Sequence, residues 1–166
     1  VKGSLLEAEG LDYICHQVNC QGRMGSGIAK QIKERWPVVY DAYISAYKDR
    51  EDEILRNCGG FEHMPDVSET LLGYLQKVPV NEEQVVINMF AQQHFGYDGR
   101  RYTSYDAFWS CLGKIKGIVP TGKKIGFPGR IGCVRGGANW DVIYEMINQV
   151  LAEDYEVYIY FLEATK

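Results

Sequence analysis

The sequence lacks several patterns that would assign it directly to a common functional class. Its five cysteines include no Cys-x-x-Cys pair, so neither a zinc site nor a disulfide framework is predicted. We expect reduced thiols that pack as small buried hydrophobes. No apolar run reaches the roughly 18 residues of a membrane span, and no signal-peptide pattern is visible. These absences favour a cytoplasmic protein with no metal.

Positive charge is also scarce in the chain. The 18 lysines and arginines are outnumbered by 22 aspartates and glutamates, which gives a net charge of -4. Broad binding to nucleic acid or to a membrane surface usually needs a basic face, so we expect neither. A small anionic ligand remains possible, because a few local donors can hold one. The length of 166 residues suggests one domain with a proper core, and we expect a monomer.

Glycine is abundant, with 18 residues, and it is concentrated in two loops. The first loop lies within "VNCQGRMGSGIAKQIKERW" (residues 18–36) and the second within "GRIGCVRGGANW" (residues 129–140). Each follows a predicted strand and precedes a predicted helix, the place where ligands bind in open α/β sheets. Such loops either form tight turns or bring backbone N–H groups close to a phosphate. The spacing of the first, GxxGxG, matches neither a dinucleotide fold nor an NTPase P-loop.

Hydrophobic periodicity predicts strands that alternate with helices. The predicted strands are 13–18, 71–80, 84–91, 124–127 and 157–161. The predicted helices are 27–35, 38–49, 105–115 and 140–151, the last capped by Asn139. Segment 58–69 is predicted to be a loop. This alternation indicates an α/β sheet with helices on both faces.

Three ordered segments resemble a known family, the macro domains. They are "HQVNCQGRMGSGIAKQIKERWPVVYDAY" (16–43), "INMFAQQHFGYDGRRYTSYDAF" (87–108) and "FPGRIGCVRGGANWDVIYEMI" (127–147). The likeness is closest to the small proteins that process ADP-ribose 1''-phosphate or remove ADP-ribose from acidic side chains. It implies a single three-layer α/β/α domain over residues 1–166, with a mixed central sheet. It also implies an ADP-ribose site that needs no cofactor.

The resemblance implies which residues bind this ligand. Residues 19–29 would wrap the distal ribose and one phosphate, and residues 132–137 would hold the diphosphate through backbone N–H groups. A side chain added at Gly25 or Gly27 would then occupy ligand space. The implied binding residues are Gly22, Met24, Gly25, Ser26, Gly27, Ile28, Gln92, Gly132, Cys133, Val134, Arg135, Gly136, Gly137 and Tyr160.

The leading function implied is hydrolysis of ADP-ribose 1''-phosphate to ADP-ribose and phosphate. His16 would move the proton, Asn19 would hold the distal ribose, and Asp141 is the next candidate for a general base. Structural alternatives remain open for all three. His16 can be a satisfied core histidine, Asn19 a turn former, and Asp141 a first-turn carboxylate that complements the helix dipole.

Two departures from the family pattern affect the function. Many macro domains have an aspartate that bonds the adenine amine where this chain has Ser4, so adenine recognition is expected to be weaker or carried by backbone groups. The branch that removes ADP-ribose from glutamate uses a lysine and an aspartate, where this chain has Gln92 and Gly136. This difference argues against a lysine-dependent deacylase. Two alternatives stand beside the phosphatase: a non-catalytic ADP-ribose-binding module, and a hydrolase acting on ADP-ribosylated protein.

Overall fold

The computed structural model describes residues 1–25, 27–59, 66–94 and 100–162. After a short 3₁₀ helix at Leu5–Glu7, strands and helices follow in the order β1 (Tyr13–Asn19), α1 (Gly27–Arg35), α2 (Pro37–Asn57), α3 (Val67–Leu71), β2 (Leu75–Pro79), β3 (Val85–Gln92), α4 (Tyr105–Ile118), β4 (Lys124–Pro128), α5 (Trp140–Leu151) and β5 (Glu156–Tyr160). Within the described ranges, no helix is both long and apolar enough to cross a membrane.

The five strands form one mixed sheet in the order β2-β3-β1-β4-β5. β2 runs antiparallel to β3, while β1, β3, β4 and β5 are parallel. The parallel strands therefore end at one edge of the sheet, which carries their last residues Asn19, Gln92, Pro128 and Tyr160. Both glycine-rich loops start at this edge, as the sequence predicted.

Helices pack on both faces of the sheet, which confirms the three-layer α/β/α architecture. Successive strand side chains point to opposite faces, so each strand contributes to two cores. Cys15 and Ile87 pack with residues of α4 and α5 on one face. Ile14 and Val86 pack with residues of α1 and α2 on the other.

Helix α2 is longer than its apolar pattern predicted. It begins at Pro37, which occupies the first turn, where a missing N–H costs nothing. It continues to Asn57, eight residues beyond the predicted end at Asp49. The added part is rich in charge and includes an ion pair between Arg50 and Glu53, 3.7 Å apart. Its weak apolar pattern explains why the sequence placed the helix end too early.

The predictions for segments 58–69 and 71–80 were partly wrong. Helix α3 occupies the end of the first segment and the start of the second, and Asp66 caps it by accepting a hydrogen bond from the N–H of Ser68 at 2.9 Å. Gly73, at φ +89°, turns the chain before β2 begins at Leu75. The loop prediction also covers residues 60–65, which lie outside the described residues.

A ladder of polar side chains, two of them buried and Gln76 half-buried, crosses the sheet from β1 to α2. His16, Asn88 and Gln76 are paired neighbours on β1, β3 and β2. The Gln76 amide donates to the backbone carbonyl of Ala42 at 2.8 Å, and the Asn88 amide donates to Gln76 Oε1 at 2.9 Å. Because a carbonyl oxygen can only accept, this series of hydrogen bonds fixes the orientation of both side-chain amides. Asn88 Oδ1 is therefore the acceptor, and Nε2–H of His16 is the donor.

His16 is therefore held as a neutral imidazole. It is completely buried, and its Nδ1 has no hydrogen-bond partner in the described part of the chain. Burial lowers the pKa of His16 to about 4, although the hydrogen bond to Asn88 acts in the opposite direction. The imidazole thus stays unprotonated well below neutral pH.

Protonation of His16 should make the fold less stable in acid. Between the folded pKa of about 4 and the ordinary value of 6.5, the unfolded chain binds more protons, so the free energy of unfolding falls as pH falls through this window. We expect a loss of about 3 kcal/mol from this group. The free energy of unfolding is measured in urea for the wild type and for His16→Gln, from neutral pH to about pH 4. The difference between the two curves gives the contribution of His16. Two parallel curves would contradict it.

Candidate functional site

A cavity of about 620 Å³ opens at the carboxyl edge of the parallel strands. It lies between loop 1 (residues 20–25, which follow β1) and loop 2 (residues 129–139, joining β4 to α5). The 3₁₀ helix and the end of β5 complete its wall. The predicted site residues that line it are Asn19, Met24, Gly25, Gly27, Ile28, Gln92, Gly132, Val134, Arg135, Gly136 and Tyr160.

Other predicted site residues lie away from the cavity lining. Gly22, Cys133 and Gly137 belong to the two loops but are not among the lining residues. Asp141 is exposed in the first turn of α5, where its N–H donates to the capping side chain of Asn139 at 2.9 Å. Its position is the one expected for a helix-start carboxylate. Ser26 lies outside the described residues.

The predicted acid–base residue His16 also does not line the cavity. Its side chain points into the layer between the sheet and α2, because neighbouring residues of a strand face opposite sides. Gln17, the next residue, faces the cavity instead. The structure therefore places His16 away from the cavity lining, and its proton-transfer role stays a prediction.

Loop 1 is organised by Tyr43 of α2, which the sequence analysis did not assign to the site. The hydroxyl of Tyr43 lies 2.7 Å from the carbonyl of Asn19 and 2.8 Å from Asn19 Oδ1. It accepts from the N–H of Arg23 at 2.9 Å. The amide of Asn19 donates to the Arg23 carbonyl at 2.8 Å, and its Oδ1 accepts from the Gln21 N–H at 3.0 Å. Asn19 therefore shapes the loop, as the turn-former alternative proposed.

Loop 2 is anchored by Thr103, which the sequence interpretation did not single out. Its hydroxyl donates to the carbonyl of Gly132 at 2.8 Å, and its backbone N–H donates to the carbonyl of Gly136 at 2.9 Å. The amide of Gln17 donates to Thr103 Oγ1 at 2.8 Å and to Gln92 Oε1 at 3.0 Å. These bonds tie loop 2 to the ends of β1 and β3.

The same anchoring leaves backbone donors unused in both loops. Among the described residues, the N–H groups of Met24 and Gly25 in loop 1, and of Gly132, Val134 and Gly136 in loop 2, have no acceptor. All five residues line the cavity. Helix α1 also begins there, and its first-turn N–H groups have no partner within the helix. Clustered N–H groups of this kind form anion-binding nests.

The charge of the cavity has the opposite sign to that of the whole chain. Arg23, Arg130 and Arg135 line it, whereas no aspartate or glutamate is found among its described lining residues. Arg130 has φ 62°, a left-handed conformation that is uncommon for a residue other than glycine. Backbone strain of this kind is typical of functional sites. The site as a whole is suited to an anion.

The glycines of the two loops differ in what an added side chain would meet. A Cβ at Gly136 would lie 1.9 Å from Thr103 Oγ1 and 2.4 Å from the carbonyl oxygen of Gly132, so the fold requires glycine there. A Cβ at Gly25 would meet no atom within 4 Å. Gly27 is equally open but has φ +58°, so a side chain there would also strain the backbone. Gly25 is therefore the cavity-lining position of the three at which an added side chain meets neither a neighbouring atom nor a strained backbone.

Comparison with known proteins identifies one curated relative. The chain is 24% identical over 162 residues to a DNA ADP-ribosyl glycohydrolase of Thermus aquaticus. The match covers 96% of this chain but only 40% of the relative, so the chain spans less than half the length of that protein. No protein-family model matches the chain.

Solved structures show the same architecture. The macrodomain of Mycobacterium tuberculosis DarG superimposes with a TM-score of 0.69 at 22% identity, covering 95% of this chain and 93% of that one. Thermosipho africanus DarTG in complex with ADP-ribose gives a TM-score of 0.66 at 18% identity, covering 95% of this chain and 40% of that one. The fold of this chain is therefore the macrodomain fold.

Two glycine-to-alanine variants should distinguish Gly136, where the fold requires glycine, from Gly25, where a Cβ has open space. We expect Gly136→Ala to lower the free energy of unfolding by about 2 kcal/mol or more, because the new methyl group overlaps Thr103 and the Gly132 carbonyl. Gly25→Ala should change it by less than about 1 kcal/mol. Urea denaturation measures both. Equal losses in the two variants would show that the Gly25 site is not open.

Proposed function

We propose that the protein binds ADP-ribose in this cavity and holds the diphosphate between the two loops. The observation that carries the proposal is the set of unpaired backbone N–H groups from both loops, which line a cavity that also contains three arginines and no described carboxylate. Backbone nests and guanidinium groups both favour phosphate oxygens. The net charge of -4 does not prevent this, because the described residues that line the cavity include three arginines and no carboxylate.

The shape of the cavity supports the same ligand. Beyond the loops its wall continues through apolar side chains of the 3₁₀ helix and the end of β5, including Leu5, Leu6 and Phe161. This wall suits the nucleobase, whose faces are apolar. Thermosipho africanus DarTG, which has this fold over 40% of its chain, has been solved in complex with ADP-ribose. Gly25, Gly27 and Asn19 would then lie nearest the distal ribose.

A non-catalytic binding role fits the described residues better than phosphatase activity does. Hydrolysis of ADP-ribose 1''-phosphate is expected to need a side chain that can move a proton. No aspartate, glutamate, histidine or lysine is found among the described lining residues, and neither His16 nor Asp141 reaches the cavity. We therefore rank the ADP-ribose-binding module first.

A second candidate is hydrolysis of an ADP-ribosyl bond to a nucleic acid. The relative that matches 96% of this chain is a DNA ADP-ribosyl glycohydrolase. The backbone of Tyr102 bonds the Gly136 carbonyl at 2.7 Å, which brings the exposed residues Arg100 and Arg101 next to loop 2. Together with the arginines of the cavity they would attract a polyanion attached to the ligand. A hydrolase acting on ADP-ribosylated protein is the third possibility.

Binding can be measured directly by titration calorimetry with ADP-ribose. We expect a micromolar dissociation constant, about -7 to -8 kcal/mol, and weaker binding of AMP, which lacks the second phosphate and the distal ribose. Gly25→Val should weaken ADP-ribose binding at least tenfold while the melting temperature stays unchanged, because its side chain enters the cavity. Gly25→Ala is the matched smaller variant. No detectable heat at millimolar ADP-ribose would refute the proposal.

Three hydrolysis assays separate a binding module from an enzyme. Wild-type protein is incubated with ADP-ribose 1''-phosphate, with an ADP-ribosylated oligonucleotide and with an ADP-ribosylated protein, and the release of phosphate or ADP-ribose is followed. We expect binding without phosphate release, since no described proton-transfer group faces the cavity. Release of ADP-ribose from the oligonucleotide would favour the second candidate. Phosphate release at equal rates by the wild type and by His16→Gln would place the reacting group elsewhere and overturn the ranking.

A further inference from the structure

Helix α4 has an exposed outer face on the side opposite the core. Its inner side packs in the cluster that β1, β3, β4 and α5 share. The outer side, which we call the α4 face, consists of exposed residues at helical spacing: Asp106, Trp109, Gly113, Lys116 and Gly117. Trp109 is 47% exposed, although tryptophan is highly buried on average in folded proteins. Large aromatic side chains at the surface are enriched where proteins associate.

Gly113 lies in the middle of the α4 face, and the fold does not require it. A Cβ at this position would meet no described atom within 4 Å, and its φ is not in the left-handed region. Glycine is a poor helix former, so alanine would make the helix more stable. A glycine on the surface of a helix allows another element to approach the backbone closely. The α4 face therefore combines a large exposed side chain with a shallow place to receive one.

The α4 face is complementary to a second copy of itself. Two α4 helices can lie antiparallel about a two-fold axis beside Cys111, which is midway between Trp109 and Gly113. Trp109 of one protomer then opposes Gly113 of its partner. The same axis is midway between Asp106 and Lys116, so a carboxylate opposes an ammonium group. In a two-fold interface each of these pairs occurs twice.

The charges on the α4 face favour the antiparallel arrangement. Asp106 lies at the beginning of the face and has no ion pair within the part of the chain that the structure describes. Lys116 lies at the other end. Its ammonium contacts Asp154 Oδ2 at 3.1 Å, but its side chain is half exposed, and an ammonium group has three donors. A parallel pair would instead bring like charges together at both ends.

We propose that the α4 face binds a second copy of this chain and forms a weak two-fold dimer. From Asp106 to Lys116 the face extends about 15 Å along the helix. One helix face of this length is smaller than the roughly 800 Å² per partner of a stable interface. The dimer is therefore expected to dissociate in the range of about 100 µM. This dimer replaces the monomer expected from the length of the chain.

The proposed dimer leaves both cavities open. Thr103, two residues before α4, bonds the carbonyls of loop 2, so the beginning of α4 lies beside the cavity. In an antiparallel pair the beginnings of the two helices are at opposite ends, and so are the two cavities. None of the residues of the α4 face lines the cavity. Dimer formation and ADP-ribose binding can therefore be tested separately.

Reversal of one charge at a time tests the pairing. Association is measured by sedimentation equilibrium from about 10 µM to about 1 mM, with thermal melting as the control for folding. Asp106→Lys and Lys116→Asp each place like charges opposite one another, so each should weaken association at least about tenfold. In an equimolar mixture of the two variants, a heterodimer has opposite charges in both pairs. The mixture should associate within about threefold of the wild type.

Two matched variants control for the change in net charge. Asp49→Lys and Lys48→Asp make the same changes at exposed positions of α2, on the other side of the sheet. Both should associate as the wild type does.

Gly113→Gln provides a test that does not depend on charge. Glutamine is a better helix former than glycine, so the melting temperature of the dilute protein should rise. Association should fall at least about tenfold, because the new side chain occupies the space for Trp109 of the partner. A purely structural role of Gly113 would not produce these opposite changes.

Three results would overturn the inference. They are a wild type that stays monomeric at about 1 mM, a dimer that Asp106→Lys and Gly113→Gln leave unchanged, and a mixture of the two charge variants that associates no better than either alone. The wild type and Gly113→Gln decide the question even if a charge variant fails to fold. Each of these results leaves the proposed function standing.

Discussion

The bonds from Thr103 to the carbonyls of Gly132 and Gly136 are the interaction on which the site depends. A loop that keeps its N–H groups free for a ligand gives up the hydrogen bonds that would otherwise hold it in place. Loop 2 therefore needs its carbonyl side fixed by another part of the chain, and Thr103 supplies this together with Gln17. Tyr43 has the corresponding role for loop 1. Both loops are preorganised by residues outside them.

Strand β1 shows how closely a stabilising residue and a site residue can lie in the chain. His16 and Gln17 are neighbours, but the pleat sends His16 into a buried ladder that ends on α2, and Gln17 into the network beneath the cavity. The ladder needs a neutral imidazole, whereas acid–base catalysis needs one that gains and loses a proton near neutral pH. The separation of roles follows from strand geometry alone.

The sequence predicted the parts of the molecule that are local in the chain. The strand–glycine loop–helix units, the Asn139 cap and the edge at which the loops meet all follow from short patterns, and the structure confirms them. The anchors of the loops could not be predicted, because Tyr43 and Thr103 act on residues 20 and 29 positions away. The side of the sheet that His16 faces was equally hidden, because the polar residues His16 and Gln17 are adjacent in the largely buried strand β1 and the sequence does not show which of them faces the cavity.

The central position of β1 has a consequence for how the molecule folds. Tyr13 pairs with Val85 on one side and with Ile125 on the other, so the middle of the sheet joins segments that are far apart in the chain. Contacts of such long range form late and cooperatively, because the entropy of closing large chain loops must first be overcome. The two loops face each other only after β1, β3 and β4 are in register. A ligand held between them therefore selects the fully assembled sheet over any partly folded form and stabilises the molecule as a whole.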